Sequence, residues 1–366
     1  MLTGYCISLP VVQASQHDPV NLRLALDIHP GTSYNYEYDS SVQLFNGEQE
    51  EKVINAKQIF MNGEFVPAEQ GVISVRTHGF SYGTGCFEGI RGYWNEEDQQ
   101  MYLFRLREHY QRFLNSCKIL QIKLPYSIDQ LIELTIELVK RNEQKQNIYL
   151  RPVAYKGDQT LGVRLHGLED HFVITSEPVG NYIDTAGLHC GVSSWRRIDD
   201  NAIPARAKII GSYVNSAFAK SEAMQNGFDE AIMLTHDGHV SEGSAENIFL
   251  VINNELVTPA PTENILLGIT RETMMELANR ELGRITRERQ IDRTELYIAD
   301  EIFLCGTGAQ FAPVVMVDHR PIGDGKVGPI SSALQQLYFE AVRGRLSEYR
   351  ELWCTSVYAA VPQQAQ

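Results

Sequence analysis

Strand-like and helix-like runs follow one another in this chain without a strict β-α-β order, and that mixed order constrains the fold more than any other feature. Two amphipathic helical patterns, "REHYQRFLNSCKIL" and "SIDQLIELTIELVKRN", stand next to each other, and the strand-like runs "IYLRPVAY" and "HFVITS" then follow in succession. In the second helix Ser127 and Gln130 stand at capping-box spacing. Upstream, "IFMNGEFV" reads as a hairpin with Asn62-Gly63 at the turn, where positive φ is needed. A later set comprises strands "LHCGVSS", "EAIMLT", "NIFLVI" and "EIFLCG", with helices near 212–226, 270–282 and 330–345. Thr270 reads as the N-cap of the middle helix and Gly283 as its stop. Such a mixture predicts an α+β fold.

At 366 residues the chain exceeds one comfortable core, which predicts two domains. Residues 1–55 are polar and without sustained period, and read as an N-terminal extension, loosely packed. A small α+β domain is expected over 56–182, and a Pro/Gly-containing stretch gives a linker at 183–187. A larger α+β domain is expected over 188–350 and a C-terminal tail over 351–366.

The formal charge of −14 argues against a nucleic-acid surface, which needs positive potential. An anionic ligand must then be held by a few placed cations. The six cysteines are scattered, with no C-x-x-C pair and no metal-ligand spacing, so reduced thiols in a cytoplasmic protein and no metal are expected. No apolar run is long enough to cross a bilayer, and the first residues lack the basic start of a secretory signal.

Chemistry concentrates in three places. In "IPARAKIIGSYVNSAF", Lys208 sits among alanines and isoleucines. An apolar setting penalises the ammonium form and favours a neutral amine able to form a Schiff base, although a lone lysine of this kind more often snorkels outward. In "GHVSEGSAENIFLV", Glu242 lies beside a glycine ahead of a strand; a carboxylate there can keep a pyridine nitrogen protonated. Phosphate holders are offered by Gly268, Ile269 and Thr270 at a helix start, by Thr307 between two glycines, and by Arg112. Each alone reads as a cap, a turn or a surface arginine. Together they describe pyridoxal 5'-phosphate.

The segments "HGFSYGTGCFEGIRGY", "FRLREHYQRFLNSCKIL", "YLRPVAY", "SSWRRIDDNAIPARAKIIGSYVNS", "SEGSAENIF", "LLGITRE", "LYIADEIFLCGTGAQ" and "GPI" are colinear. In order and spacing they make residues 57–345 similar to the branched-chain-amino-acid aminotransferases of fold type IV, the two-domain pyridoxal-phosphate fold that D-amino-acid aminotransferases share. The resemblance implies that Lys208 is the Schiff-base lysine and proton carrier, that Glu242 faces the pyridine nitrogen, and that Tyr213 lies near the ring hydroxyl. It assigns the phosphate to Arg112, Ile269, Thr270 and Thr307. It also implies a side-chain pocket of Phe87, Tyr82, Val163 and Tyr182, with Tyr82 and Val163 reaching in from a neighbouring subunit. Tyr149 and the backbone around Thr307 and Gly308 are implied for the α-carboxylate, and Arg151 for the distal carboxylate of glutamate. Arg91 is placed near the pocket. The implied reaction moves an amino group between L-leucine, L-isoleucine or L-valine and 2-oxoglutarate by a ping-pong route, in a homodimer or an assembly of dimers.

The sequence departs from the compact members of that family in the extension 1–55, in Arg164 and His166 of an entrance loop, and in Gly308, where an alanine is common. The same devices serve D-amino-acid and (R)-amine transaminases, aminodeoxychorismate lyases, and a non-catalytic homologue that only binds the cofactor. The "FEGIR" and "YLRP" segments favour the branched-chain reading, and the intact Lys208, Tyr213 and Glu242 favour an enzyme.

Overall fold

The computed structural model describes residues 56–180 and 187–359. The extension 1–55, Tyr182 and the expected linker up to residue 186 lie outside the described residues.

The first half of the chain supplies β1 (Gln58–Met61), β2 (Glu64–Pro67), α1 (His78–Tyr82), β3 (Gly85–Phe87), β4 (Ile90–Asn95) and β5 (Gln100–Phe104). Helices α2 (Leu106–Ile119) and α3 (Ile128–Arg141) follow, then β6 (Ile148–Lys156) and β7 (Asp170–Pro178). The second half supplies β8 (Leu188–Arg196), α4 (Tyr213–Gln225), β9 (Glu230–Leu234), β10 (Val240–Gly243), β11 (Asn247–Ile252) and β12 (Glu255–Pro259). It continues through α5 (Ile269–Leu282), β13 (Arg287–Arg289), β14 (Glu301–Gly306), β15 (Gln310–Val317) and β16 (Arg320–Pro321). Helices α6 (Pro329–Val342) and α7 (Ser347–Trp353) and strand β17 (Cys354–Ser356) complete it.

Two sheets result, in an α+β arrangement. The first runs β17-β5-β4-β6-β7-β1-β2, with β3 also paired to β6, and all its pairings are antiparallel. The second runs β10-β9-β8-β15-β14-β11-β12-β13 and is mixed, with β8 parallel to both β9 and β15.

Local chemistry explains the elements. Asn62 and Gly63 both take positive φ, closing the β1–β2 hairpin in the expected register. Ser127 and Gln130 form the reciprocal capping box of α3, and Leu131, Leu138 and Val139 bury the helix against the first sheet. Gly283 ends α5 in the left-handed conformation, but the N-cap of that helix is Gly268. Thr270, expected as the cap, lies inside the first turn, because the chain is already helical from Ile269.

Within the stretch 351–366, expected as a tail, the described residues 351–359 include the end of α7 and strand β17. Tyr349 and Trp353, one turn apart, bury themselves in the core shared by α5, α6 and the second sheet. That anchor delivers β17 to the edge of the first sheet, where it pairs with β5.

The alternation of β6 sets up the site. Ile148, Leu150 and Ala154 point into the core under α2 and α3, while Tyr149, Arg151 and Val153 point to the opposite, half-exposed face. The segment before α4 crosses back to β3, where Ile209 bridges Cys86 and the N–H of Phe87 donates to the Lys208 carbonyl at 3.0 Å. Lys208 thereby stands where the two sheets meet.

Candidate active site

Around Lys208 the chain alternates in burial. Ala205, Ala207 and Ile209 are buried, and Ala207 and Ile209 join the core of the first sheet. Arg206 is exposed and Lys208 is half-buried. The apolar neighbours therefore do not surround the amine. They pin the backbone, and the amine points the other way. Lys208 N donates to Ser116 Oγ at 3.2 Å, and Nζ donates to Tyr213 Oη at 2.5 Å. Phe87 and Tyr213 frame the amine, with Nζ 5.0 and 5.1 Å from their ring centres.

Arg151 lies over the Phe87 ring at 4.3 Å and donates to Tyr149 Oη at 3.4 Å. A Cβ on Gly89 would collide with Tyr149 Oη, so glycine is what admits the tyrosine here. Lys208, Tyr213, Phe87, Arg151 and Tyr149 thus form one cluster.

Glu242 follows a bulge at Ser241 that shifts the β9–β10 register, and its side chain is buried. One oxygen takes Arg197 Nη2 at 2.7 Å, and the other accepts from Asn247 Nδ2 and Leu266 N, each at 3.0 Å. Burial raises its pKa, opposed by the Arg197 charge, by the Leu266 N–H and by Lys208. A buried carboxylate with three donors and a nearby amine is well placed to hold a cationic ring nitrogen.

Arg112, on α2, donates through Nε and Nη2 to Glu88 at 2.8 Å each and through Nη1 to the Leu267 carbonyl at 2.8 Å. His109 donates to the same carboxylate at 2.8 Å. Although burial pushes the Glu88 carboxyl up, Arg112 and His109 hold it well below the usual carboxylate range. Among the described residues, three of its five guanidinium N–H groups are engaged in these bonds. Leu267 leads directly into α5, whose N-cap Gly268 provides no side-chain cap for the first-turn N–H groups, Ile269 and Thr270 included. A Cβ on Gly268 would strike Asn247 Oδ1, so the close approach that links this helix start to Glu242 requires glycine.

Thr307 and Gly308 form the turn between β14 and β15. Arg91, expected near the pocket, is fully buried beneath this turn. Its Nε donates to the Thr307 carbonyl at 3.0 Å and Nη2 to the Gly308 carbonyl at 3.2 Å, while Nη1 is buried and has no hydrogen-bond partner among the described residues. A Cβ at Gly308 would meet nothing within 4 Å, so the alanine common at this turn would fit as well.

Tyr82 and Val163 belong to a different cluster. Tyr82 Oη accepts from Gly162 N at 3.2 Å, and Val163 is exposed, as are Arg164 and His166.

Arg197, Asn247, Glu88, His109 and Ser116 are site residues that the sequence alone does not single out. Only the tandem arginine of "SSWRRI" and the asparagine of "AENIF" carry any signal for them.

Glu246 lies close behind. Desolvation first, and the neighbouring Glu230 carboxylate second, push it up to about 8. Its folded pKa is raised, so the fold keeps a proton that the unfolded chain releases. Stability accordingly falls as pH rises from the ordinary carboxylate range toward 8. Glu246→Gln removes this titration, so the Tm advantage of the variant should grow between about pH 5 and pH 8.5. Parallel Tm curves would mean that Glu246 titrates as it does in water.

The donor set fits pyridoxal phosphate: an amine for the aldehyde, a buried carboxylate for the ring nitrogen, and a helix start with an adjacent arginine for the phosphate. The family model for amino-transferase class IV matches residues 85–317. The chain belongs to the class IV aminotransferases. Among curated relatives, a "probable branched-chain-amino-acid aminotransferase" from Aquifex aeolicus is 48% identical over 82% of this chain and 96% of its own. Among solved structures, the branched-chain aminotransferase of Thermoproteus uzoniensis with norvaline is 40% identical, with a TM-score of 0.79 over 82% of this chain and 99% of its own. The T.th. branched-chain amino acid aminotransferase complexed with N-(5'-phosphopyridoxyl)-L-glutamate is also 40% identical, with a TM-score of 0.79 over 83% of this chain and all of that one.

Proposed function

We propose that this class IV aminotransferase is a pyridoxal-phosphate-dependent branched-chain-amino-acid transaminase, exchanging an amino group between L-leucine, L-isoleucine or L-valine and 2-oxoglutarate. The observation that carries the reading is Arg151 lying over the Phe87 ring at 4.3 Å beside Lys208. An aromatic wall offers apolar area to a branched side chain, about 0.8 kcal/mol per buried CH₂. A guanidinium held over that wall by its ring face can offer N–H groups to a distal carboxylate. One pocket can then take both leucine and glutamate. The phosphopyridoxyl-glutamate complex of the T.th. relative supports glutamate as the second partner.

When bound, pyridoxal phosphate supplies an aldehyde to the substrate amine and a ring that withdraws electrons from Cα. Lys208 would be its covalent anchor, and Nζ would be the base that takes the Cα proton. Tyr213 Oη, 2.5 Å away, orients that amine. Glu242 would keep the ring nitrogen protonated. Arg112, the first turn of α5 at Ile269 and Thr270, and Thr307 would hold the phosphate. Tyr149 and the N–H groups near Thr307 and Gly308 take the α-carboxylate, with Arg91 bracing that turn from below. The donor departs as a 2-oxo acid before the acceptor enters, which gives ping-pong kinetics.

In this reading the two sheets belong to two domains joined at 183–187, and the protein is a cytoplasmic homodimer or an assembly of dimers. Val72 and Val75 on one loop and Leu161 and Val163 on another, which Ser74 and Gln159 tie together, are exposed along with Phe80 of α1, and such an apolar patch suits a second copy. Tyr82 and Val163 would reach the neighbour's pocket from there, and in this reading Phe87 and Tyr182 are the other side-chain pocket residues. Among the described residues, no helix is long and apolar enough to cross a membrane.

A donor panel against 2-oxoglutarate tests the function: L-leucine, L-isoleucine and L-valine should be used, and D-alanine and (R)-1-phenylethylamine should not. Preference for either of the last two would replace this reading. Arg151→Ala should lower kcat/KM for glutamate roughly 10–100-fold, the worth of a charge-assisted hydrogen bond, while leucine changes by only a few-fold. Equal losses for both would remove Arg151 from distal-carboxylate binding.

A further inference from the structure

The two exposed loops are joined by a residue that plays no part in the chemistry above. His78 is completely buried at the start of α1. Its Nε2 lies 2.7 Å from the Gly162 carbonyl and its Nδ1 2.7 Å from Thr84 Oγ1. A carbonyl only accepts, so Nε2 carries a proton; the Thr84 hydroxyl can serve Nδ1 as donor or acceptor. The His78 N–H also donates to the Asp158 carbonyl at 2.8 Å. One turn later, Tyr82 takes the Gly162 N–H, and the two rings sit 4.7 Å apart. A single helical turn therefore grips both polar groups of Gly162, in a loop whose neighbours Leu161 and Val163 are 91% and 78% exposed.

The other end of the grip reaches the reactive amine. Thr84 passes its carbonyl to the Lys156 N–H at 3.0 Å and leads into β3, which carries Phe87 and pairs at Cys86 with Ile209. Gly83 faces Gly211, between Lys208 and Tyr213, so closely that a Cβ would sit 2.9 Å from the Gly211 Cα. A shift of α1 is thus transmitted to the wall beside Lys208 as well as to the 158–165 loop.

We propose that His78 is a positioning residue of the substrate pocket: bridging Thr84 and Gly162, it fixes the 158–165 loop against the β3 wall that carries Phe87. The kinetic part rests on the transaminase reading; the structural part does not. His78→Ala opens the bridge, whereas His78→Gln places an amide N–H near the former Nε2 and restores the bond to Gly162. In the full-length holoenzyme, His78→Ala should raise the KM for L-leucine at least about tenfold with kcat within about threefold, the pattern of lost binding that is equal in ground and transition states. Cofactor affinity by visible absorbance should stay unchanged. Amide hydrogen exchange over 158–165 should quicken in His78→Ala and return toward wild type in His78→Gln. Should His78→Ala fail to fold, Thr84→Val carries the same test with smaller changes. Unaltered exchange over 158–165 in a folded His78→Ala or Thr84→Val variant overturns the proposal. So does a fall in kcat alone with KM unchanged. Wild-type protein inactive on L-leucine would refute the transaminase reading, and the exchange measurement would still decide the bridge.

Discussion

Lys208→Ala is expected to lower turnover of L-leucine with 2-oxoglutarate by at least roughly 10²–10⁴-fold, the span that a positioned general base contributes, while the protein stays folded. Folding should survive because the backbone carries the local bonds: Lys208 N to Ser116 Oγ, and Phe87 N to the Lys208 carbonyl. Alanine retains both. It loses Nζ, and with it the 2.5 Å bond to Tyr213 and the amine proposed to anchor the cofactor and move the proton. Borohydride reduction of wild-type holoenzyme followed by peptide mapping should label the peptide containing Lys208, and the variant should take no label. Label on another lysine, or a variant that keeps wild-type turnover, would sink the assignment.

Glu242→Gln comes next in expected size, about a 10²–10³-fold loss of kcat, comparable to removing a preorganised electrostatic partner. The environment makes this substitution harsher than its shape suggests. Both carboxylate oxygens face donors: Arg197 on one side, and Asn247 Nδ2 with Leu266 N on the other. Whichever way the glutamine amide turns, its NH₂ meets a donor, and a buried group is left unpaired. The charge that would hold a protonated ring nitrogen is lost as well. Steady-state kinetics with a cofactor titration measures both losses. A variant with wild-type kcat would show that Glu242 does not face the ring.

Sequence patterns reach some of this architecture and miss other parts for physical reasons. The Asn62-Gly63 hairpin, the Ser127–Gln130 box and the alternation of β6 are readable because each is set by residues a few positions apart. Lys208 stands out by its apolar neighbours, yet those neighbours pack away from the amine; a linear pattern cannot say which side of the backbone faces the core. Glu88 cannot be assigned to Arg112 from sequence, because its partner lies 24 residues on and across a helix–strand contact. Sequence favours Thr270 over Gly268 as the helix cap, since threonine is the better cap by side chain, while the close approach of Asn247 admits only glycine. The closing strand β17 is hidden by its brevity: three residues carry no periodicity, and Val357 finds the side chain of Gln100 at a separation of 257 residues.

That last strand has a consequence for how the molecule comes into being. A ribosome releases β4 and β5 long before Cys354–Ser356, so one flank of the nascent first sheet stays uncovered throughout that interval. Until β17 emerges, the unpaired backbone of β5 is available to any passing strand. Arrival of this distant strand, rather than collapse of the early half, seals that border.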